Sequence, residues 1–181
     1  MKTATHELST TDWAVLVALL EQPSHGFGLA ALFAPSGELG DIWRVQRTQV
    51  YRALEHLEAL GLIEAVGLEE GEAGPPRRLF AATLSGRQAA LQWLYTPVNR
   101  LRHGRSDLRL KIAFLIRLKR DLEPLLEAQA AVFAAILEDV KRRFQTAERI
   151  QYVSILWRME MAEASLRFIE QLLPRSVALS K

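Results

Sequence analysis

Arg47-Thr-Gln-Val-Tyr-Arg-Ala-Leu-Glu-His-Leu-Glu-Ala-Leu-Gly61 carries two messages on two sides of one helix. Val50, Leu54 and Leu57, with Ala53 and Leu60 beside them, recur at spacings of three and four and so line a face that has to be buried. Arg47, Thr48, Gln49, Tyr51 and Arg52 crowd its first turns. Donor-bearing side chains of this kind suit a helix end that enters a DNA major groove, where Arg pairs with guanine and Gln with adenine. Gly61 predicts the stop, as a C-terminal cap. Any amphipathic surface helix also has polar residues opposite its core, so the meaning of this one depends on its neighbours.

Upstream, Leu8-Ser-Thr-Thr-Asp-Trp13 reads as a helix start, with Ser9 as cap, Asp12 returning the bond and Leu8 placed to staple onto Trp13. Trp13 to Leu20 is apolar nearly all round, which predicts a central core helix, and Gln22-Pro23-Ser24 stops it. A second short helix is expected from His25 or Gly26 to Phe33, with Phe27, Leu29, Leu32 and Phe33 in the core and Pro35-Ser-Gly37 closing it. Gly26-Phe-Gly-Leu-Ala-Ala31 has the outline of a dinucleotide fingerprint, but no strand precedes it, so the nucleotide reading is rejected. Asp41 to Val45 predicts a short strand or extended lead-in to the reading helix.

Downstream, Leu62 to Val66 and Arg78 to Ala82 are the expected strands of a hairpin. Leu68 to Arg77 between them, polar and rich in Gly and Pro, is the expected exposed tip. Helix, helix, helix and a two-stranded hairpin is the order of a winged helix-turn-helix. In that arrangement Arg77 and Arg78 reach a phosphate or a minor groove, unless they balance Glu69, Glu70 and Glu72. Thr83 or Ser85 caps a further helix that runs to Thr96-Pro97, where the boundary is placed. The reading is thus a mostly α chain: a winged helix-turn-helix DNA-binding domain over residues 1–96, then an α-helical dimerisation and effector domain over 97–181.

The second part is led by a basic run, eight Lys and Arg between Arg100 and Arg120 against the single acid Asp107. Such a run follows a DNA backbone, lines an acidic ligand or, most commonly, forms a solvated face. Leu126, Ala130, Phe133, Leu137, Val140 and Phe144 then repeat as a heptad seam, with Pro124 placed at the helix start. In the last helix Ile150, Val153, Trp157, Ala164 and Phe168 mark one apolar face, and Tyr152, Leu156, Met159, Leu166 and Leu173 another. Two apolar faces require two partners. The second partner is expected to be another copy of the chain, whose two-fold axis would match a palindromic site, in preference to a monomeric helical hairpin.

Composition narrows the classes. At 49% hydrophobic residues over 181 positions the chain is globular, and without cysteine it has neither disulfides nor thiolate metal sites. His6, His25, His56 and His103 are scattered and show no ligand spacing. With no signal peptide or membrane-length apolar run, a cytoplasmic location without membrane attachment is expected. Residues 1–95 hold 7 Lys and Arg against 11 Asp and Glu, and residues 96–181 hold 16 against 10. The acidic balance of the first part argues against a generic polyanion binder. Arg44, Arg47 and Arg52 nevertheless form a local basic stripe with no acid between Trp43 and Ala53, as expected of a specific dimer. No catalytic motif, phosphate loop or carboxylate pair points to an enzyme, and no cofactor is implied.

Leu8 to Trp13, Pro23-Ser-His-Gly-Phe27, Ile42-Trp43, Thr48 to Leu54, Leu57 to Ile63, Gly74-Pro-Pro-Arg-Arg78, Thr83 to Gly86 and Lys111 to Phe114 together resemble the PadR family of bacterial transcription regulators. The long C-terminal helices make the chain similar to the subgroup that includes the phenolic-acid repressor and a virulence activator. The resemblance implies a dimeric winged-helix regulator on an inverted repeat, commonly a repressor released by a small molecule. It carries the reading role to Thr48, Gln49, Tyr51 and Arg52 and wing contacts to Arg77 and Arg78. The family usually has Tyr where this chain has Phe27, and often at Phe80, so contacts relying on those hydroxyls are lost. For a small aromatic or amphipathic effector, Tyr95, Arg102, Tyr152 and Trp157 are the candidates, since aromatics with an arginine suit an aromatic acid. The alternative is a winged-helix module that meets protein instead of DNA.

Overall fold

The computed structural model describes residues 8–71 and 74–180, and the expected hairpin residues Glu72 and Ala73 and the histidine His6 lie outside the described residues. The chain divides into two compact units, the first up to Trp93 and the second from Leu94.

In the first unit, α1 (Thr10–Ala18) opens with the expected reciprocal cap. The Ser9 hydroxyl accepts from the Asp12 N–H at 3.1 Å and Asp12 Oδ2 accepts from the Ser9 N–H at 2.9 Å. Every residue from Ala14 to Leu19 is buried, as its all-round apolar sequence requires. His25 caps α2 (Gly26–Leu32) by accepting the Gly28 N–H on Nδ1 at 2.8 Å. The lead-in over residues 43–46 is neither helix nor strand; Gln46 is extended, and the Val45 N–H donates to the Phe33 carbonyl at 3.3 Å.

The decisive segment forms α3 (Arg47–Ala59), with Val50, Ala53, Leu54 and Leu57 buried and packed towards α1 and α2. Each fully buried aliphatic side chain of this kind stabilises the fold by roughly 1.5–3 kcal/mol. Leu60, expected beside them, is exposed, because it sits at the C-cap where the chain leaves the helix axis. Gly61 follows at φ +67°, a conformation that favours glycine. Its N–H donates to the Glu58 carbonyl and the Leu62 N–H to the Leu57 carbonyl, each at 3.0 Å, the paired bonds of a Schellman ending.

The hairpin departs from expectation in length. β1 (Ile63–Gly71) pairs antiparallel with β2 (Gly74–Ala82), from Ile63 opposite Ala82 through Glu69 opposite Arg77 to Gly71 opposite Gly74. Leu68 to Arg77 is therefore mostly strand among the described residues, and only its polarity and the exposure of residues 68–70 and 76–77 were as expected. A two-stranded ribbon has no face that must be apolar, so polar residues enter it freely once backbone pairing and opposite charges support them. Register shifts between Ala65 and Gly67 and between Glu69 and Gly71 absorb the irregular alternation. Residue Ser24 exchanges backbone hydrogen bonds with Phe80 at 3.0 and 2.9 Å, clipping the base of the hairpin to the turn before α2. The winged helix-turn-helix is complete. Thr83 caps α4 (Leu84–Tyr95) by accepting the Gly86 N–H at 3.1 Å, and Trp93 on α4 stacks on Trp13 of α1 at 5.4 Å.

The second unit is helical: a 3-10 turn (Leu101–Gly104), α5 (Asp107–Arg117), α6 (Glu123–Phe144), α7 (Arg149–Leu172), a 3-10 turn (Leu173–Arg175) and α8 (Ser176–Leu179). The α6 seam is the predicted one, with Leu126, Phe133, Leu137 and Val140 buried. Gln129, which the apolar pattern passed over, is fully buried beside it and holds both the N–H and carbonyl of Val98, at 2.7 and 2.9 Å.

On α7 the buried residues are Ile155, Ala162 and Ile169, which belonged to neither predicted face. With Met159, Leu166 and Leu173 they form a 4-3-4-3-4 seam that answers the one on α6. The face of Ile150, Val153, Trp157 and Phe168 stays exposed.

Lys111 on α5 is buried and donates to the Thr96 carbonyl; burial pushes its pKa down from 10.5 to about 8, against the opposing pull of Asp107.

Candidate nucleic-acid interface

The first turns of α3 present Arg47, Thr48, Gln49, Tyr51 and Arg52 as exposed side chains, and Arg44 is exposed in the lead-in. Among the described residues no carboxylate forms an ion pair with Arg44, Arg47 or Arg52. Gln49 is not idle: its Oε1 accepts the Gln46 N–H at 2.9 Å, satisfying one of the orphan donors at the helix start. Bidentate recognition of adenine uses that same oxygen, whose second lone pair is still open, so the capping bond orients the amide while one acceptor site remains for a base. Gly26 lets α2 approach α3 closely here, since a Cβ at that position would lie 2.8 Å from the Tyr51 ring.

The wing arginines differ in their engagement. Arg78 donates to Glu58 Oε1 at 2.6 Å, tying β2 to the far end of α3, and its guanidinium also lies 4.9 Å from the Phe80 ring centroid. Arg77 sits over Phe27 at 4.7 Å, and Arg47 lies over the same ring at 5.5 Å and over Tyr51 at 5.6 Å. His25 Nδ1 is occupied by its capping bond, which leaves Nε2 as the hydrogen-bearing nitrogen of the uncharged ring, 3.3 Å from Glu69 Oε2. One cluster thus joins the turn before α2, the start of α3 and both strands of the wing.

Phe27, expected in the core, is 46% exposed. It lies two residues from the buried Leu29, about 200° around the helix, and so takes the outer face. Phe27, His25 and Glu58 are the residues that sequence reasoning did not assign to this surface. Phe27 next to the glycines that flank it was the only available signal.

The four effector candidates are not gathered in one place. Arg102 and Trp157 line a cleft of about 860 Å³ within the second unit. The Tyr95 hydroxyl instead donates to the Asp121 carbonyl at 3.1 Å, and Tyr152 packs on Phe144 with ring centroids 5.0 Å apart. Tyr152 precedes Trp157 by five residues, about 140° around α7, so the two cannot face one space. Among the described residues no group of three or more His, Asp and Glu could hold a metal ion, and no helix is long and apolar enough to cross a membrane.

The model of the Transcriptional regulator PadR-like family matches residues 15–92. The probable transcriptional regulator Rv1176c of Mycobacterium tuberculosis is 34% identical over 95 residues, 52% of this chain and 48% of that protein, so the match spans about half the length of this relative. Among solved structures, Bacillus subtilis PadR in complex with operator DNA is similar at 20% identity and TM-score 0.48, covering 92% of this chain and 98% of that one. The Vibrio cholerae virulence activator AphA is similar at 18% identity and TM-score 0.40, covering 93% and 99%.

Proposed function

We propose, from the premise that residues 15–92 belong to the PadR-like family of transcriptional regulators, that the protein is a repressor that binds an inverted-repeat operator as a homodimer and leaves it when a small molecule binds. The observation that carries this reading is the exposed, acid-free start of α3 beside the wing, where Arg47 and Arg77 share the Phe27 ring. Thr48, Gln49, Tyr51 and Arg52 contact base edges, and Arg44, Arg47 and Arg77 contact phosphates. Arg78 acts mainly by holding the wing to α3 through Glu58.

The winged part, residues 1–96, is the DNA-binding domain and residues 97–181 the dimerisation and effector domain. The exposed α7 residues Ile150 and Val153, which lie outside the cleft lined by Trp157 and Phe168, support the homodimer, since one chain leaves them uncovered. The cleft that Arg102 and Trp157 line supports a ligand, which acts by changing the spacing of two reading helices and so the operator affinity.

Selection from a random duplex library with the full-length protein tests the reading. An enriched inverted repeat, bound with an affinity that falls steeply with salt and lost when one half-site is scrambled, is the expected result. Recovery of no motif and no binding at low salt would favour a protein partner for α3.

A further inference from the structure

We infer that the cleft of the second unit takes a soluble amphipathic anion whose head carries at least two negative charges; this rests on reading that unit as the effector domain. The floor is apolar and sealed, made by Leu108 of α5 and Phe133 of α6, both buried. One wall is the α7 stretch of Trp157, Met161 and Phe168. The lining is cationic: Arg100, Arg102 and Arg105 come from the 3-10 turn and its flanks and Arg158 from α7, while Arg109 of α5, which has a partner of its own, is a fifth.

Among the described residues none of the first four arginines forms an ion pair with a carboxylate. The nearby acid, Asp107, lies 3.7 Å from His103 instead, and the Arg102 Nε–H is spent on the other nitrogen of that ring at 3.2 Å. With no carboxylate to neutralise them, Arg100, Arg102, Arg105 and Arg158 make this mouth favourable to an anion. A carboxylate accepts one guanidinium fork in bidentate fashion, whereas a phosphate monoester offers three oxygens and a second charge to further forks. The apolar floor and aromatic wall supply the place for its body, and a space of about 860 Å³ lies in the range of small-molecule sites. The ligand chemistry is therefore a dianionic head on an aryl or similarly compact apolar group, rather than the aromatic monoacid that one arginine would suit.

Calorimetry on the full-length protein at fixed ionic strength tests this with one ring and three heads: 1-naphthyl phosphate, 1-naphthoate and 1-naphthol, and with inorganic phosphate as the head alone. The phosphate ester binds about tenfold or more tighter than the naphthoate, and both exceed the neutral ring and the bare ion. Arg102→Gln with Arg105→Gln brings the ester down to the naphthoate level, while circular dichroism and sedimentation stay as in the wild type. Ala164→Trp, which fills the cleft, lowers both. Equal affinities for ester and naphthoate, no binding by either, or an unchanged ester affinity in the double variant would overturn the proposal. So would an Ala164→Trp protein that loses its oligomeric state while the wild type binds no probe, since the cleft would then be a subunit contact. Operator affinity is measured separately: ester binding without operator release leaves the site standing and removes the regulatory reading.

Discussion

The guanidinium of Arg77, on the second strand of the wing, lies 4.7 Å from the centre of the Phe27 ring at the start of α2. Arg47, the first residue of α3, lies 5.5 Å from that same centre. Two cations that a duplex would attract from different elements are thus held around one half-exposed aromatic side chain before any DNA arrives. Holding them there reduces the ordering cost that binding would otherwise carry. The ring thereby links the wing to the start of α3 through two cation–π contacts.

Replacing that ring is the first test. Phe27→Ala removes two exposed cation–π contacts, each worth roughly 0.5–1 kcal/mol, and lowers operator affinity by up to about tenfold. Phe27→Tyr keeps the ring and restores most of the affinity. Thermal stability falls in the Ala variant by no more than those contacts supply, roughly 1–2 kcal/mol, and changes little in the Tyr variant. Fluorescence anisotropy on a labelled operator reads the effect, and an Ala variant that binds as the wild type does would dispose of the positioning role.

Arg52 and Gln49 differ in a way that their positions in the sequence conceal. Arg52 is exposed, and Arg52→Ala costs operator binding about 1–3 kcal/mol at one base pair while stability is unchanged. Gln49→Ala also removes the bond that its side chain makes to the Gln46 N–H, so the fold loses about 0.5–1 kcal/mol in addition. Urea unfolding beside operator titration separates the two. Equal stability of both variants would show that the capping bond contributes nothing.

Glu58 restrains a cation that DNA would otherwise use. Its carboxylate receives Arg78 at 2.6 Å, both side chains being partly exposed, so the pair itself adds little stability. Glu58→Gln frees the guanidinium and removes an acid from the reading surface. Binding to a random duplex should tighten, and the dependence of log affinity on log salt should steepen by about one. A slope identical to the wild type would mean that Arg78 stays on α3 regardless.

What could be read from the chain was what depends on local pattern. Ser9 with Asp12, the α3 stripe of Val50, Leu54 and Leu57, and Gly61 at its end each follow from spacing and chemistry within a few residues. The wing was legible in order but not in extent, since Glu69 to Gly71 and Gly74 to Arg77 are strand only because each supports the other across the ribbon. On α7 the covered seam of Ile155, Ala162 and Ile169 escaped because apolar residues surround most of that helix, and only the partner α6 selects among them. The cluster of Phe27 with Arg47 and Arg77 joins three elements far apart in the chain, so no spacing could announce it. Tyr95 and Tyr152 were grouped by chemistry alone, and helix geometry turns them elsewhere.

Lys111 makes stability depend on alkaline pH. Its folded pKa of about 8 lies below the ordinary 10.5, so between those values the unfolded chain holds a proton that the folded chain has released. Stability therefore rises as pH increases through this window, and the full cost of the buried charge is felt below it. The recoverable amount is on the order of 3 kcal/mol at most. Lys111→Met lacks the titration, so the wild type should gain on it steadily in urea unfolding from about pH 8 to about pH 10.5. A constant difference between the two across that range would mean that the amine stays charged or reaches water.

The uncovered face of α7 makes the last prediction. Ile150 is 83% exposed and Val153 67%, neighbours three residues apart on one side of a helix whose other side is sealed by α6. Isolated apolar residues on a surface mean little, but large ones side by side on one helix face mark an interaction site. Ile150 and Val153 do not line the cleft, so changing them tests assembly without touching the ligand site. Ile150→Glu with Val153→Glu should leave the monomer folded, because neither side chain is in its core. It should also place charges on both sides of a two-fold contact, since a symmetric interface repeats each substitution. Sedimentation equilibrium should show a shift from dimer to monomer, and binding to an inverted repeat should fall to the level of a single half-site. A variant that remains dimeric with full operator affinity would show that this face is not where the copies meet.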